Sequence, residues 1–184
     1  DNKIVLSSTS FNGFSSHIAI ARFLQNGVID PTFDFDGKLS ILVGDGLFCS
    51  AYHVAMQGNK IITAGYAMLG SSNPITLARF TESGAVDNTF GTNGVFYFDP
   101  PHPYNFVNSL TVLSNGKILL GCLTSVEGFM FLTRINQEGS IDTAFGASNT
   151  GYVYANDCCF KGALKIIVQQ DEKIIVGGTV TSRI

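Results

Sequence analysis

Three arginines in this sequence each stand eight residues ahead of an aspartate: Arg22 and Asp30, Arg79 and Asp87, Arg134 and Asp142. A phenylalanine follows each aspartate by three positions, at Phe33, Phe90 and Phe145. The arginines lie in apolar runs, where a guanidinium needs a carboxylate partner, and an aspartate in the following turn can supply a bidentate one. The same aspartate can accept backbone N–H groups of its own turn. Chemistry present in every copy of a motif is read as structural. The expectation is therefore three ion pairs that hold the chain, with the phenylalanines packed between its units.

The remaining reactive side chains form no recognisable catalytic set. His17, His53 and His102 show neither H-x-H nor H-E-x-x-H spacing. Asp34-Phe35-Asp36-Gly37 invites a calcium reading, and the twelfth residue from Asp34 is Asp45, but the apolar stretch Lys38-Leu39-Ser40-Ile41 stands where further acidic ligands are required. It is read as a solvated turn. Cys49, Cys122, Cys158 and Cys159 contain no C-x-x-C pair, so free thiols are expected. A disulfide from Cys49 to one of the vicinal pair is the alternative and would imply an oxidising compartment. No G-x-S-x-G elbow and no phosphate-cradling glycine loop ahead of a helix occurs. The sequence thus assigns no catalytic residue, metal or cofactor.

The elements that position these groups come from a repeat. Lys3, Lys60, Lys117 and Lys173 open near-identical runs at spacings of 57, 57 and 56 residues, and Gly27, Gly84 and Gly139 each follow their arginine by five. Self-similarity of this kind marks a repeat architecture. The units run approximately over 1–57, 58–114 and 115–170, with a partial fourth over 171–184, all within a single segment, 1–184. Short apolar runs read as strands a (Asn108 to Leu113), b (Lys60 to Tyr66), c (Thr76 to Thr81) and d (Val95 to Phe98). The runs are continuously apolar, as expected when both sheet faces are covered. The expected fold is all-β: four-stranded antiparallel blades of a β-propeller. The full series reads b-c-d, a-b-c-d, a-b-c-d, a-b.

The pattern G-K-I-x-x-x-G followed by A-R-F-x-x-x-G-x-x-D-x-x-F-G-x-x-G resembles the bacterial delta-60 repeat, a β-propeller family of unassigned function. The unit containing Lys60 through Gly65 and Ala78-Arg79-Phe80 through Gly94 fits best. The first unit departs at Pro31 and Asp34, and the third at Ile135 and in two extra residues before Gly151. The resemblance implies a fold and brings no catalytic residues.

Three units and a fragment fall short of the four to eight blades of a closed propeller. The chain is therefore expected to belong to a larger or oligomeric ring, completed by self-association or by further blades of a longer chain. Both ends run directly into apolar strands, as in a segment of something longer. A net charge of −3 and only 14% charged residues leave no electrostatic footprint for nucleic acid. No apolar run reaches the ~18 residues of a membrane-inserting helix.

The a–b and c–d turns repeat, whereas the b–c and d–a loops on the opposite face vary. The variable loops are 9–17, 67–74 and 124–128 (b–c), with 44–49, 99–105 and 156–162 (d–a). Variable loops on a rigid scaffold are where binding residues collect. Candidate ligand-binding residues are His17, Asp45, Phe48, Asp99, His102, Tyr104 and Asn105, the last four from a segment stiffened by Pro100, Pro101 and Pro103. The reading is a non-enzymatic binding or assembly scaffold that meets a protein or glycan on this face. Its alternatives are a propeller enzyme of lyase or hydrolase type with an axial pocket there, and a structural subunit completed by other chains. The abundance of Ser, Thr, Asn and Gly points to a secreted or cell-surface setting.

Overall fold

The computed structural model describes residues 2–45, 47–100, 105–124, 130–146, 148–154 and 165–178. Among these there are thirteen strands and no helix. Each sheet is an antiparallel meander whose strands follow the chain. The first holds β1 (Ile4–Phe11), β2 (Ser16–Phe23) and β3 (Lys38–Ile41). The second holds β4 (Cys49–Gln57), β5 (Lys60–Ala67), β6 (Ile75–Phe80) and β7 (Val95–Phe98). The third holds β8 (Asn105–Val112), β9 (Ile118–Thr124), β10 (Met130–Ile135) and β11 (Tyr152–Tyr154). A hairpin of β12 (Lys165–Val168) and β13 (Ile174–Gly177) begins the fourth. These sheets are β-propeller blades, in the strand series b-c-d, a-b-c-d, a-b-c-d, a-b.

Consecutive blades pack face to face, and the a strands lie closest together, β4 against β8 and β8 against β12. Both β4 and β8 bulge at one residue, between Ala51 and His53 and between Val107 and Ser109. The bulges re-aim side chains to link neighbouring blades: His53 Nε2 donates to the Val107 carbonyl at 3.0 Å, and Ser109 Oγ accepts from Ile166 N at 3.2 Å. Burial outweighs the Val107 hydrogen bond and holds the His53 imidazole below its ordinary pKa.

The core is divided between the blade junctions. Ile18, Ile20, Phe33 and Leu39 of the first blade meet Ile61, Ala78, Phe80 and Val95 of the second. On the other side of the second sheet, Ile62, Leu77 and Phe90 meet Ile118, Leu120 and Phe131 of the third. Adjacent residues such as Ile61 and Ile62 thus serve different cores, which explains an unbroken apolar run. Every residue of β6 is buried. In the first blade, which has a neighbour on one face only, the same kind of strand alternates: β2 is buried at every second position and β1 is largely exposed.

Boundaries differ from the sequence expectation where tertiary pairing extends a strand. His17 lies within β2, opposite Ser10 of β1, not in a b–c loop. Asn105 opens β8 opposite Thr124, so strand a begins before Asn108. Cys49 starts β4 and is a buried free thiol whose Sγ lies 3.1 Å from the Ser16 carbonyl, which corrects the alternative of a disulfide to the vicinal pair. Cys122 is also free, with its thiol pKa pushed up by burial. Cys158 and Cys159 lie outside the described residues.

The repeated glycine after each arginine is explained by the neighbouring blade. Gly84 (φ 99°) offers its backbone to the ring of Phe33, and a Cβ there would sit 3.1 Å from Phe33 Cε2. Gly139 (φ 86°) does the same for Phe90, with ring carbons 2.9 Å from that position. Gly27 (φ 81°) meets nothing within 4 Å. Gly27→Ala should therefore cost about 1 kcal/mol from backbone strain alone. Gly139→Ala should cost about 1–3 kcal/mol more, because the ring must move. Denaturant titration of both variants checks this, and equal losses would show that the ring does not seat on the glycine.

Candidate functional site

The densest polar chemistry lies at the blade junctions, where the repeated residues converge. Asp87 sits in the turn after β6. Its Oδ1 accepts from the Thr89 N–H at 3.2 Å and hydroxyl at 2.7 Å, an Asx-type turn. Its Oδ2 accepts from Arg79 Nε and Lys60 Nζ, both at 2.6 Å. The guanidinium distributes its remaining donors outward. Nη2 reaches the Thr89 hydroxyl at 3.0 Å, and Nη1 reaches Gln57 Oε1 at 2.8 Å and the Gln137 carbonyl of the next blade at 2.7 Å. The Phe90 ring lies under the guanidinium, 4.7 Å from its centre.

The first blade copies this arrangement. Arg22 Nε donates to Asp30 at 2.7 Å, Lys3 Nζ lies 3.2 Å away, Thr32 closes the turn, Nη1 reaches the Glu82 carbonyl, and Phe33 lies 4.8 Å below. In the third blade Arg134 and Lys117 meet Asp142 at 2.5 and 2.8 Å over Phe145. Ala144 replaces the threonine there, so the hydroxyl contacts are absent and only its N–H reaches Asp142, at 3.2 Å. The pairs use one carboxylate oxygen for Arg Nε and Lys Nζ together, instead of the bidentate fork expected from sequence. Splitting the guanidinium's donors is what lets it reach the next blade.

The lysines are the functional residues that sequence reasoning missed. They served only as markers of the repeat. Their constant offset to the aspartate, 27 residues in the first two units, is the signal that assigns their partner. Thr32 and Thr89 were missed in the same way.

Each carboxylate is held below its ordinary pKa. For Asp30 the Thr32 hydroxyl is the largest influence, and the Thr32 N–H, Lys3 and Arg22 add to it against burial. For Asp87 burial is the largest single influence and raises the pKa, but Lys60, Thr89 and Arg79 together outweigh it. Asp142 follows the same balance with Lys117 and Arg134. Clefts of about 370, 550 and 390 Å³ open beside Arg22, Arg79 and Arg134 on the a–b/c–d side. Their cations are already shared with these carboxylates, and recurrence at every junction gives none of them a distinct chemistry.

The opposite face carries the variable loops, and among the described residues three of them, 9–17, 44–49 and 67–74, are tied to one another. Ser16 N donates to the Leu47 carbonyl at 3.1 Å, and Met68 N to the Phe48 carbonyl at 2.8 Å. Asp45 joins the same cluster: its N–H donates to Met68 O at 3.0 Å and its Oδ2 accepts from Gly70 N at 2.5 Å. His17 lies among Asn12, Ser15 and Ser40, with ring nitrogens 3.0 Å from Ser15 Oγ and 3.3 Å from Ser40 Oγ. Phe48 is exposed, together with Phe11, Phe14 and Leu47. Asp99 is exposed after β7. The structure thus brings the loops of His17, Asp45 and Phe48 together but joins neither His17 nor Asp45 to Asp99 by a hydrogen bond or ion pair among the described residues. His102 and Tyr104 lie outside the described residues, and Asn105 is placed by its backbone in β8.

Because the aspartate pKa values are depressed, their stabilisation is complete above the ordinary carboxylate range and is lost as pH falls through and below it. Asp87→Ala should cost about 3–5 kcal/mol at neutral pH, since Arg79 would remain buried without its carboxylate. The difference between wild type and Asp87→Asn should be largest above about pH 5 and shrink in stronger acid. Urea midpoints for the two proteins from neutral to acid pH test both statements. A difference that stays constant with pH would show that Asp87 gives no charge-dependent support.

Comparison with known proteins agrees with this geometry at the level of the fold. A family model described as a β-propeller domain of unknown function (DUF5122) matches residues 1–33 and 59–90. Each matched stretch runs from the a–b side of strand b to the phenylalanine of the junction, and so contains the lysine, arginine, glycine and aspartate described above. No curated protein and no solved structure matches the chain. The chain carries the blades of a β-propeller, and its first two units are similar to that domain.

Proposed function

We propose that the chain is a non-enzymatic binding scaffold of the delta-60 repeat type, and that a protein partner docks on its b–c/d–a loop face. The observation that carries this reading is the group of exposed apolar side chains Phe11, at the end of β1, and Phe14, Leu47 and Phe48 on hydrogen-bonded loops. Aromatic side chains on an otherwise weakly charged surface are the composition of an interface centre. Phe14 is 88% exposed and has nothing to gain in the free chain from that position. His17, Asp45 and the flanking hydroxyls supply the polar rim. Asp99 is exposed after β7, and the sequence pattern assigns its segment to the same set of variable loops. A rim of hydroxyls and amides around aromatic rings also fits a glycan, which becomes an outcome of the test.

Wild type and a Phe14→Ser/Leu47→Ser variant should be compared against a peptide-display library and a glycan array. Both side chains are exposed, so the variant should melt with the wild type. A protein-binding face gives enriched peptides whose affinity falls about thirtyfold or more in the variant, as for an interface hot spot. Binding confined to the glycan array would replace the protein partner by a carbohydrate. Ligands held equally well by both proteins would place the binding surface elsewhere.

A further inference from the structure

The turn that follows the junction phenylalanine differs between the first two blades, and in the first it carries an exposed ring. In the second blade the turn is Gly91-Thr92-Asn93-Gly94, with left-handed backbone at Gly91 (φ 53°), Asn93 (φ 52°) and Gly94 (φ 88°). Glycine and asparagine take positive φ readily. In the first blade the turn is Asp34-Phe35-Asp36-Gly37, with Asp34 at φ 43°, Phe35 at φ 67° and Gly37 at φ 87°. A bulky side chain at positive φ is a backbone outlier. Packing does not return its cost, because Phe35 is 97% exposed. The turn is nonetheless anchored on both sides of the ring: Gly37 N donates to the Phe33 carbonyl at 2.6 Å, and Asp34 N to Ser83 O of the second blade at 2.9 Å. Exposure is a property of the turn itself. Thr92 and Asn93 are exposed too, although the second blade is packed against a neighbour on each face.

Phe35 lines a cleft of about 280 Å³ between the first two blades, together with Pro31, Thr32, Asp34, Ser83 and Ala85. The Asp34 carboxylate takes no hydrogen bond or ion pair among the described residues. Asp36 Oδ1 accepts the Lys38 N–H at 2.9 Å, and the Lys38 ammonium is paired with neither aspartate among the described residues. An aromatic ring and an unengaged carboxylate thus share one cleft. The same two groups hold a guanidinium elsewhere in this molecule. Asp30 takes Arg22 Nε at 2.7 Å while the Phe33 ring lies 4.8 Å from the guanidinium carbon, and Asp87 with Phe90 treats Arg79 alike, at 2.6 and 4.7 Å.

We propose that the Phe35 cleft is the docking site for an arginine side chain of a protein partner. The guanidinium lies on the Phe35 ring and donates to the Asp34 carboxylate, its aliphatic stem rests against Pro31 and Ala85, and Asp36 adds negative potential at the rim. Arginine suits the cleft better than lysine, because a planar cation stacks on a ring and presents parallel donors to a carboxylate. The strained backbone is what holds the ring out for this contact. The site lies at the c–d turn, at the opposite end of the strands from the variable loops, and does not rest on a partner being bound there.

NMR titration of the 184-residue chain with the peptide acetyl-Gly-Arg-Gly-Arg-Gly-amide tests this. Amide signals should move at Asp34, Phe35, Ser83 and Ala85 and stay still at Ser16 and Leu47 on the loop face. The same peptide with uncharged citrulline in place of arginine should bind about tenfold more weakly. Phe35→Asn should weaken the arginine peptide about tenfold and at the same time raise the urea midpoint, because asparagine accepts positive φ and the exposed ring gives up no burial. Asp34→Asn should weaken it to a similar degree, about tenfold, and remove most of its salt dependence. Phe14→Ser should leave the titration unchanged, which separates this site from the loop face. No signal change at the cleft overturns the proposal, as does a citrulline peptide that binds equally well. Binding indifferent to both Phe35→Asn and Asp34→Asn overturns it too. A urea midpoint that falls in Phe35→Asn does the same, since the fold itself would then need the ring.

Discussion

An arginine placed in a strand between two sheets cannot lose its proton, so every donor of its guanidinium must find an acceptor. The rest of this structure depends on how that demand is met. Asp30, Asp87 and Asp142 take Nε, and Thr32 and Thr89 take Nη2. Nη1 of Arg22 and Arg79 is left to reach a carbonyl of the following blade. The guanidinium thus bonds to its own blade, through the aspartate, the threonine and, for Arg79, Gln57 Oε1, and to the next blade at once. Hydrophobic contact alone would let two sheets slide across each other. The shared guanidinium fixes both their spacing and their rotation.

The lysine resolves a second difficulty. One aspartate beneath an arginine would be neutralised by it, but the carboxylate has more acceptor capacity than Nε uses. Lys3, Lys60 and Lys117 occupy it from the start of strand b while keeping their ammonium groups partly in solvent. Strand b and the c–d turn are thereby held to each other through one oxygen atom. The phenylalanine three residues on completes the unit, because its ring faces the guanidinium and the neighbour's glycine. Phe33 and Phe90 are fully buried by that arrangement. Five residue types spaced along each unit thus form one mechanical joint.

Much of this was legible in the sequence because the joint repeats. The 57-residue period, the strand order and the pairing of Arg79 with Asp87 follow from fixed offsets and from the cost of a charge in an apolar strand. The division of donors was not legible, because it depends on where the next blade lies. Gln137 carries no mark in the sequence that its carbonyl, and not its side chain, accepts from Arg79. The placement of His17 was missed for a related reason. Ser10 and Phe11 read as loop residues, yet β1 and β2 stay paired to Phe11 and Ser16 and reduce the loop to four residues between them. On the variable face, Asp45 is a candidate through its place in a d–a loop, and its carboxylate braces Gly70 of the adjacent loop.

The location of the joint also explains why the other face is free to vary. Every inter-blade contact of the arginine, the aspartate turn and the glycine lies at the a–b/c–d end of the strands. The b–c and d–a loops at the far end carry none of the repeated residues, and among the described residues they are tied by backbone hydrogen bonds such as Ser16 to Leu47 and by the Asp45 carboxylate on Gly70 N. A substitution there leaves the arginine joint untouched. Exposed residues such as Phe14 and Phe48 are thus held on a frame whose geometry is set some strand-length away, so the loop face can be rebuilt residue by residue while the blades remain in register.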